Sequence, residues 1–226
     1  MKASESDVVF DYRALRLLVG LIALVLPVIV VLIASTPLSS ISASYYTEAR
    51  DVFVGALFII GALLLAYNGH TFVEKWVSKG AAFAAIFAAI FPTTCDLCEA
   101  DLKSVVHYVA AVILFSTIAY FCLGPFQKNT KGQRGKKRRR ARIYSVCGWV
   151  IVGCMLAAGI AEVALPAAIR KALAITFLAE LIALWAFALA WIVAGKVIPA
   201  LVDEDERLKL SLAWRAKGAE PRSTAY

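Results

Sequence analysis

Residues 105–125 read VVHYVAAVILFSTIAYFCLGP, residues 126–142 read FQKNTKGQRGKKRRRAR, and residues 143–165 read IYSVCGWVIVGCMLAAGIAEVAL. A predominantly apolar run of ~20 residues is long enough to cross the ~30 Å hydrocarbon core of a bilayer as a helix. Lys and Arg in the loops between such runs stay on the cytoplasmic side. Here two runs of that length flank a loop, 127–142, that carries nine Lys and Arg. This stretch therefore decides the fold: a helical protein threaded through a membrane, with the basic loop inside.

The same pattern extends in both directions. Further apolar runs fall at 17–34, 52–67, 80–92 and 172–197, which makes six expected spans. The chain of 226 residues is 61% hydrophobic and 18% charged. A soluble domain carries about 45–50% and about 25%, so six spans leave no room for a sizeable soluble domain. The expected fold is all-α: a polytopic membrane helix bundle of six transmembrane helices with both termini cytoplasmic. Residues 1–16 form a cytoplasmic N-terminal segment, 17–197 the transmembrane domain and 198–226 a cytoplasmic tail. The first run exceeds the ~7–15 apolar residues of a signal-peptide core and no A-x-A site follows, so it reads as a retained span. Pro27 sits inside it as a kink. Ala81, Ala85 and Ala89 form a small-residue stripe of the kind that lets backbones approach closely in lipid.

Charge placement fixes the threading. Of 24 Lys and Arg, twenty fall in the amino terminus, the second and fourth loops and the region from Lys196 onward, against four in the other loops. The net charge of +8 is accounted for by the basic loop, and the remainder is close to neutral. Lys136, Lys137, Arg138, Arg139 and Arg140 resemble a nucleic-acid patch in isolation, but no aromatic residue interleaves them. Between two spans they read as contacts to anionic lipid headgroups, worth about 1 kcal/mol each near the surface. The expected partners are membrane lipids and not nucleic acid. The expected location is a bacterial inner membrane. The tail holds an acidic run at 203–206, then Leu208, Leu210, Leu212 and Trp214 at a spacing irregular for a surface helix.

This threading brings polar residues toward the outer leaflet: Tyr45, Tyr46, Arg50 and Asp51 before and at the start of the second span, His107 in the first turn of the fourth, Glu162 near the end of the fifth, and Glu180 about two turns into the sixth. Ionisable groups inside a membrane are costly and usually face the bundle interior, paired with one another. Glu180 has only Thr176, Ala183 and Leu184 as helical neighbours, so its partner must come from another helix. His107 and Asp51 have the residue types of an acid–base pair, with Ser42 or Ser44 as nucleophiles that nothing singles out. Glu180 and Glu162 with His107 have the residue types of a proton or cation path.

Cys95-x-x-Cys98 faces the oxidising side and is positioned to close a disulfide. Cys95, Cys98, Asp101 and His107 include zinc-ligand types, but one C-x-x-C with a distant histidine is a weak signal. Cys122, Cys147 and Cys154 lie within spans. His70 reads as a solvated loop histidine, and two histidines on opposite sides of the membrane cannot share a haem iron. No cofactor is called for.

The stretch Ser42-Ala-Ser-Tyr45-Tyr46-Thr47…Arg50-Asp51-Val-Phe53-Val54-Gly55 resembles the opening of an uncharacterised bacterial family of small six-helix integral membrane proteins. Phe91-Pro92-Thr93, His107, Ala119-Tyr120-Phe121, Arg142-Ile143-Tyr144…Cys147-Gly148 and Glu180…Phe187…Trp191…Gly195 continue the resemblance over residues 40–196. It implies a bacterial inner-membrane protein and brings no activity with it. Polytopic lipid amidases of the ceramidase type use a serine, an aspartate and three histidines around zinc. This chain has two histidines and no H-x-x-x-H, so the zinc-hydrolase version is set aside. Three functional readings stay open: a structural, regulatory or lipid-interacting protein; a lipid-modifying enzyme using His107 and Asp51; and a small proton- or cation-coupled carrier using Glu180 and Glu162.

Overall fold

The computed structural model describes residues 12–95, 98, 100–128, 130 and 132–206. The expectations for residues 1–11, for Asp96, Glu99 and Lys131, and for the tail beyond 206 lie outside the described residues. The described residues contain seven α-helices and no strand: α1 (Tyr12–Ile33), α2 (Arg50–Ala66), α3 (Phe72–Ile90), α4 (Leu102–Leu123), α5 (Gly135–Ala164), the single-turn α6 (Ala167–Ala172) and α7 (Ile175–Ala194). Four of them, α1, α4, α5 and α7, are long and apolar enough to cross a membrane. Helix α2 has 17 residues, about 26 Å at 1.5 Å per residue, and α3 begins with the charged residues Glu74, Lys75 and Lys79.

The helices close into a ring. Helix α1 packs on α2, α2 on α3, α3 on α4, α4 on α5, α5 on α7, and α7 returns to α1. Contacts between helix ends show an up-and-down course. At one end His107 at the start of α4 meets Ala88 and Phe91 at the end of α3. At the other, Arg16 near the start of α1 meets Tyr67 after α2 and Ala194 at the end of α7.

Small residues allow the close packing. A Cβ on Gly20 of α1 would lie 2.8 Å from Ile192 Cγ1 and 3.0 Å from the Ala188 carbonyl of α7, so the two backbones meet there. Ala81, Ala85 and Ala89 are buried, which makes the alanine stripe of α3 a packing face. Outward faces carry Leu18, Leu21, Val25 and Leu32 on α1 and Val105, Val109 and Val112 on α4, all exposed. Contiguous apolar surface of that kind suits lipid and not water. The molecule has the architecture of an integral membrane protein.

The two ends of the ring are built differently. At the end that carries the start of α1, Trp191 packs against Phe187, Phe126, Tyr67 and Phe121 at centroid distances of 5.6, 5.7, 5.8 and 6.1 Å, all edge-on, and Phe126 continues to Tyr144 at 5.4 Å. Arg16 lies over the rings of Tyr67 and Phe126 at 5.1 and 5.3 Å. This aromatic floor fills the ring on the basic side. The opposite end is looser and holds the candidate site.

Candidate functional site

The site begins with a short 3-10 turn, Ser42–Tyr46, which the polar loop after α1 folds back over the mouth of the ring. That turn supplies the partner Glu180 needs. The Glu180 carboxylate accepts a hydrogen bond from the Ser42 backbone N–H at 3.0 Å and one from its hydroxyl at 3.1 Å. The partner is a loop residue, whereas the sequence pointed to another helix.

His107 is fully enclosed. Its Nδ1 lies 3.0 Å from the Ala88 carbonyl and 2.8 Å from the Phe91 carbonyl. Carbonyl oxygens only accept, so in the neutral ring Nδ1 carries the proton and Nε2 is left as an acceptor. No partner for Nε2 is found among the described residues. The ring thus caps the last turn of α3 while keeping one nitrogen available.

His107, Ser42 and Glu180 line one cavity of about 40 Å³, together with apolar side chains including Leu26, Phe53 and Leu114. One water needs at least ~10–15 Å³, so the space fits about two or three. Glu180 also lines a second, larger cavity of about 400 Å³ between α4, α5 and α7. Its walls are mostly apolar, with Phe115, Met155 and Ala158 among them, and its polar lining is Tyr108, Glu162, Thr176 and Glu180. Cys154 lines the same groove, whereas Cys122 and Cys147 are buried elsewhere as free thiols.

The other expected residues divide. Glu162 reaches the groove, paired with Arg170 at 2.9 Å, and Arg170 also donates to the Leu165 carbonyl at 2.7 Å, tying α5 to α6. Asp51 is exposed on the first turn of α2 and lines neither cavity, so it is not brought to His107. The reason is helical phase: the buried face of α2 is Phe53, Leu57, Ile60, Gly61 and Leu64, and Asp51 projects about 200° away from Phe53. Arg50 stacks on Tyr45 at 4.5 Å and donates to its hydroxyl at 3.0 Å, outside the cavity. Tyr46 donates to the Thr93 carbonyl at 2.5 Å and braces the turn against the end of α3. Ser44 is buried, and its hydroxyl has no partner among the described residues.

Cys95 and Cys98 are joined by a disulfide. Asp101 caps α4 through the Ser104 N–H at 2.8 Å. The four candidate zinc ligands are therefore engaged separately, and among the described residues no group of three or more His, Cys, Asp or Glu is placed to hold a metal ion.

A further network at the basic end escaped the sequence reading. Glu74 is buried and accepts from the His70 backbone N–H at 2.9 Å and from Lys128 at 2.9 Å. Gly69 makes the turn possible: its φ is +62°, and a Cβ there would lie 2.5 Å from Glu74 Cβ. His70 is exposed, with Nε2 3.5 Å from Arg16 Nη2. In the basic loop Arg138 and Arg139 are exposed, while Lys136, Lys137 and Arg140 engage the segment after α7. The signal was present in phase: Arg140, Tyr144, Cys147, Gly148 and Ile151 form one buried stripe on α5 that starts inside the charged run.

No family model matches the chain, and neither a curated protein nor a solved structure matches it.

Proposed function

We propose that this is a six-span protein of a bacterial inner membrane, with both ends in the cytoplasm, that binds an amphipathic lipid in the groove between α4, α5 and α7. The groove carries the reading: about 400 Å³, mostly apolar, with the carboxylates of Glu180 and Glu162 in its lining. Small-molecule sites of ~300–1,000 Å³ with apolar walls and few polar groups are the usual kind. An acyl chain would lie against Phe115, Met155 and Ala158, and donors of a polar head would meet the two carboxylates. The six-span count is supported by the closed ring, in which α2 and α3 stand between two membrane-length helices. The orientation is supported by the basic residues at the floor end. The resemblance to the uncharacterised six-helix family agrees with this assignment.

Lipid analysis of the purified protein tests it. A lipid species enriched with wild type and lost in Ala158→Trp, which fills the groove, is the expected result. No enrichment over the bulk membrane extract would overturn the reading.

A second reading, proton- or cation-coupled carriage, has one observation in its favour: His107 and Glu180 share a cavity with room for bridging water. Proton flux in vesicles, compared between wild type and Glu180→Gln, separates the two.

A further inference from the structure

After α7 the chain turns at Lys196, whose φ of 57° is a left-handed conformation that residues with side chains rarely adopt. It then lays the 3-10 turn Glu204–Glu206 against the starts of α1 and α5. The Glu206 carboxylate accepts from Arg140 Nη2 at 2.7 Å and stands 3.5 Å from Lys137 Nζ and 3.9 Å from Lys196 Nζ. Arg13 Nη1 donates to the Glu206 backbone carbonyl at 2.9 Å. Three cations from two separate parts of the fold, Lys137 and Arg140 on α5 and Lys196 after α7, thus converge on one carboxylate.

The second arm of the Arg140 fork donates to a neutral acceptor, the Leu201 carbonyl, at 3.3 Å. Arg140 is 2% exposed, so its orientation is set by packing and not by solvent. A pre-oriented guanidinium fork flanked by two ammonium groups suits a group with several charged oxygens better than one carboxylate, and phosphate is that group.

We propose that Lys137, Arg140 and Lys196 form a phosphate-binding cup, and that the Glu206 carboxylate occupies it as an intramolecular stand-in which a phosphate group displaces. The phosphate comes either from an anionic lipid headgroup of the adjacent leaflet or from a free phosphate in solution. The lipid source rests on the threading proposed above; the free source does not. Displacement frees residues 198–206 from the bundle, so occupancy of the cup is coupled to release of the tail.

Hydrogen–deuterium exchange of the full chain in nanodiscs tests this, read at peptides covering 198–206. The discs contain phosphatidylcholine alone, phosphatidylcholine with phosphatidylglycerol, or phosphatidylcholine with inorganic phosphate in solution; sodium chloride at matched ionic strength is the control. A severalfold faster uptake with phosphatidylglycerol alone assigns the cup to lipid, and one with inorganic phosphate assigns it to free phosphate. Glu206→Gln should show the fast uptake in phosphatidylcholine alone. Lys137→Gln, which leaves buried Arg140 in place, should lose the response to phosphate. Uptake unchanged by either phosphate source, or accelerated equally by chloride, would overturn the proposal and leave the turn as a fixed brace.

Discussion

The carboxylate of Glu180, in the second turn of α7, is held by Ser42, which gives it both a backbone N–H and a hydroxyl. A loop residue and a helix residue 138 positions apart in sequence thereby close one end of the ring. The contact places a carboxylate in the lining of both cavities and fixes the turn whose Ser42 lines the smaller one.

Glu180→Gln keeps one acceptor oxygen but turns an amide donor toward the donors of Ser42. It should destabilise the protein by about 1–3 kcal/mol, the cost of a buried polar group left unpaired. Ser42→Ala removes only the hydroxyl contact and should cost less. A double-mutant cycle on thermal unfolding in detergent should return a coupling energy; strict additivity would mean the contact carries no stability.

Gly20→Ala should destabilise by about 1–3 kcal/mol, because the added methyl meets Ile192 and the Ala188 carbonyl within 3.0 Å. Gly55→Ala is the matched control. Nothing lies within 4 Å of its added Cβ, and replacing a mid-helix glycine by alanine should gain about 0.5–1 kcal/mol. Equal effects at both positions would contradict the close α1–α7 approach.

Glu74, ahead of the 80–92 span, gives a pH dependence. Burial opposes its charge, yet the His70 N–H and the Lys128 ammonium hold the carboxyl below the usual 4.5. A depressed value in the folded state means its stabilisation is fully present above about pH 5 and is lost as pH falls through the folded value. Melting temperature between pH 7 and pH 3 should therefore drop more for wild type than for Glu74→Gln. Parallel curves would show that the buried carboxylate does not govern acid stability.

Two exposed positions test the threading. A cysteine at Thr36 should react with a membrane-impermeant maleimide added to intact cells, and one at Gln133 should react only after permeabilisation. The opposite pattern would invert the protein in the membrane.

Much of this architecture was legible because it follows from one-dimensional quantities. The apolar runs around Leu26, Leu114 and Phe187 mark their helices by length alone, and the alanine stripe of α3 marks its packing face. The demand of Glu180 for a partner was legible too, since a carboxyl so placed cannot stand alone. Its source was not, because Ser42 arrives through a 3-10 turn whose position depends on tertiary packing.

Two misplacements have a different cause. Asp51 was grouped with His107 by depth, although its phase on α2, opposite Phe53 and Leu57, turns it outward. Arg140 was grouped with its charged neighbours, although its spacing to Tyr144, Cys147 and Ile151 puts it on the buried stripe of α5. Angular position on the helix, and not depth or charge, decides where both side chains go.

The aromatic floor built on Trp191 gathers rings from four separate stretches of chain, after α2, on α4, in the turn behind α4 and on α7, into one edge-on cluster. A change in any one of these rings is therefore felt by elements far apart in sequence, and that end of the bundle responds as a unit. Neither the groove nor the smaller cavity has any of these rings in its lining, so substitutions at Glu180 or Ala158 leave that unit untouched.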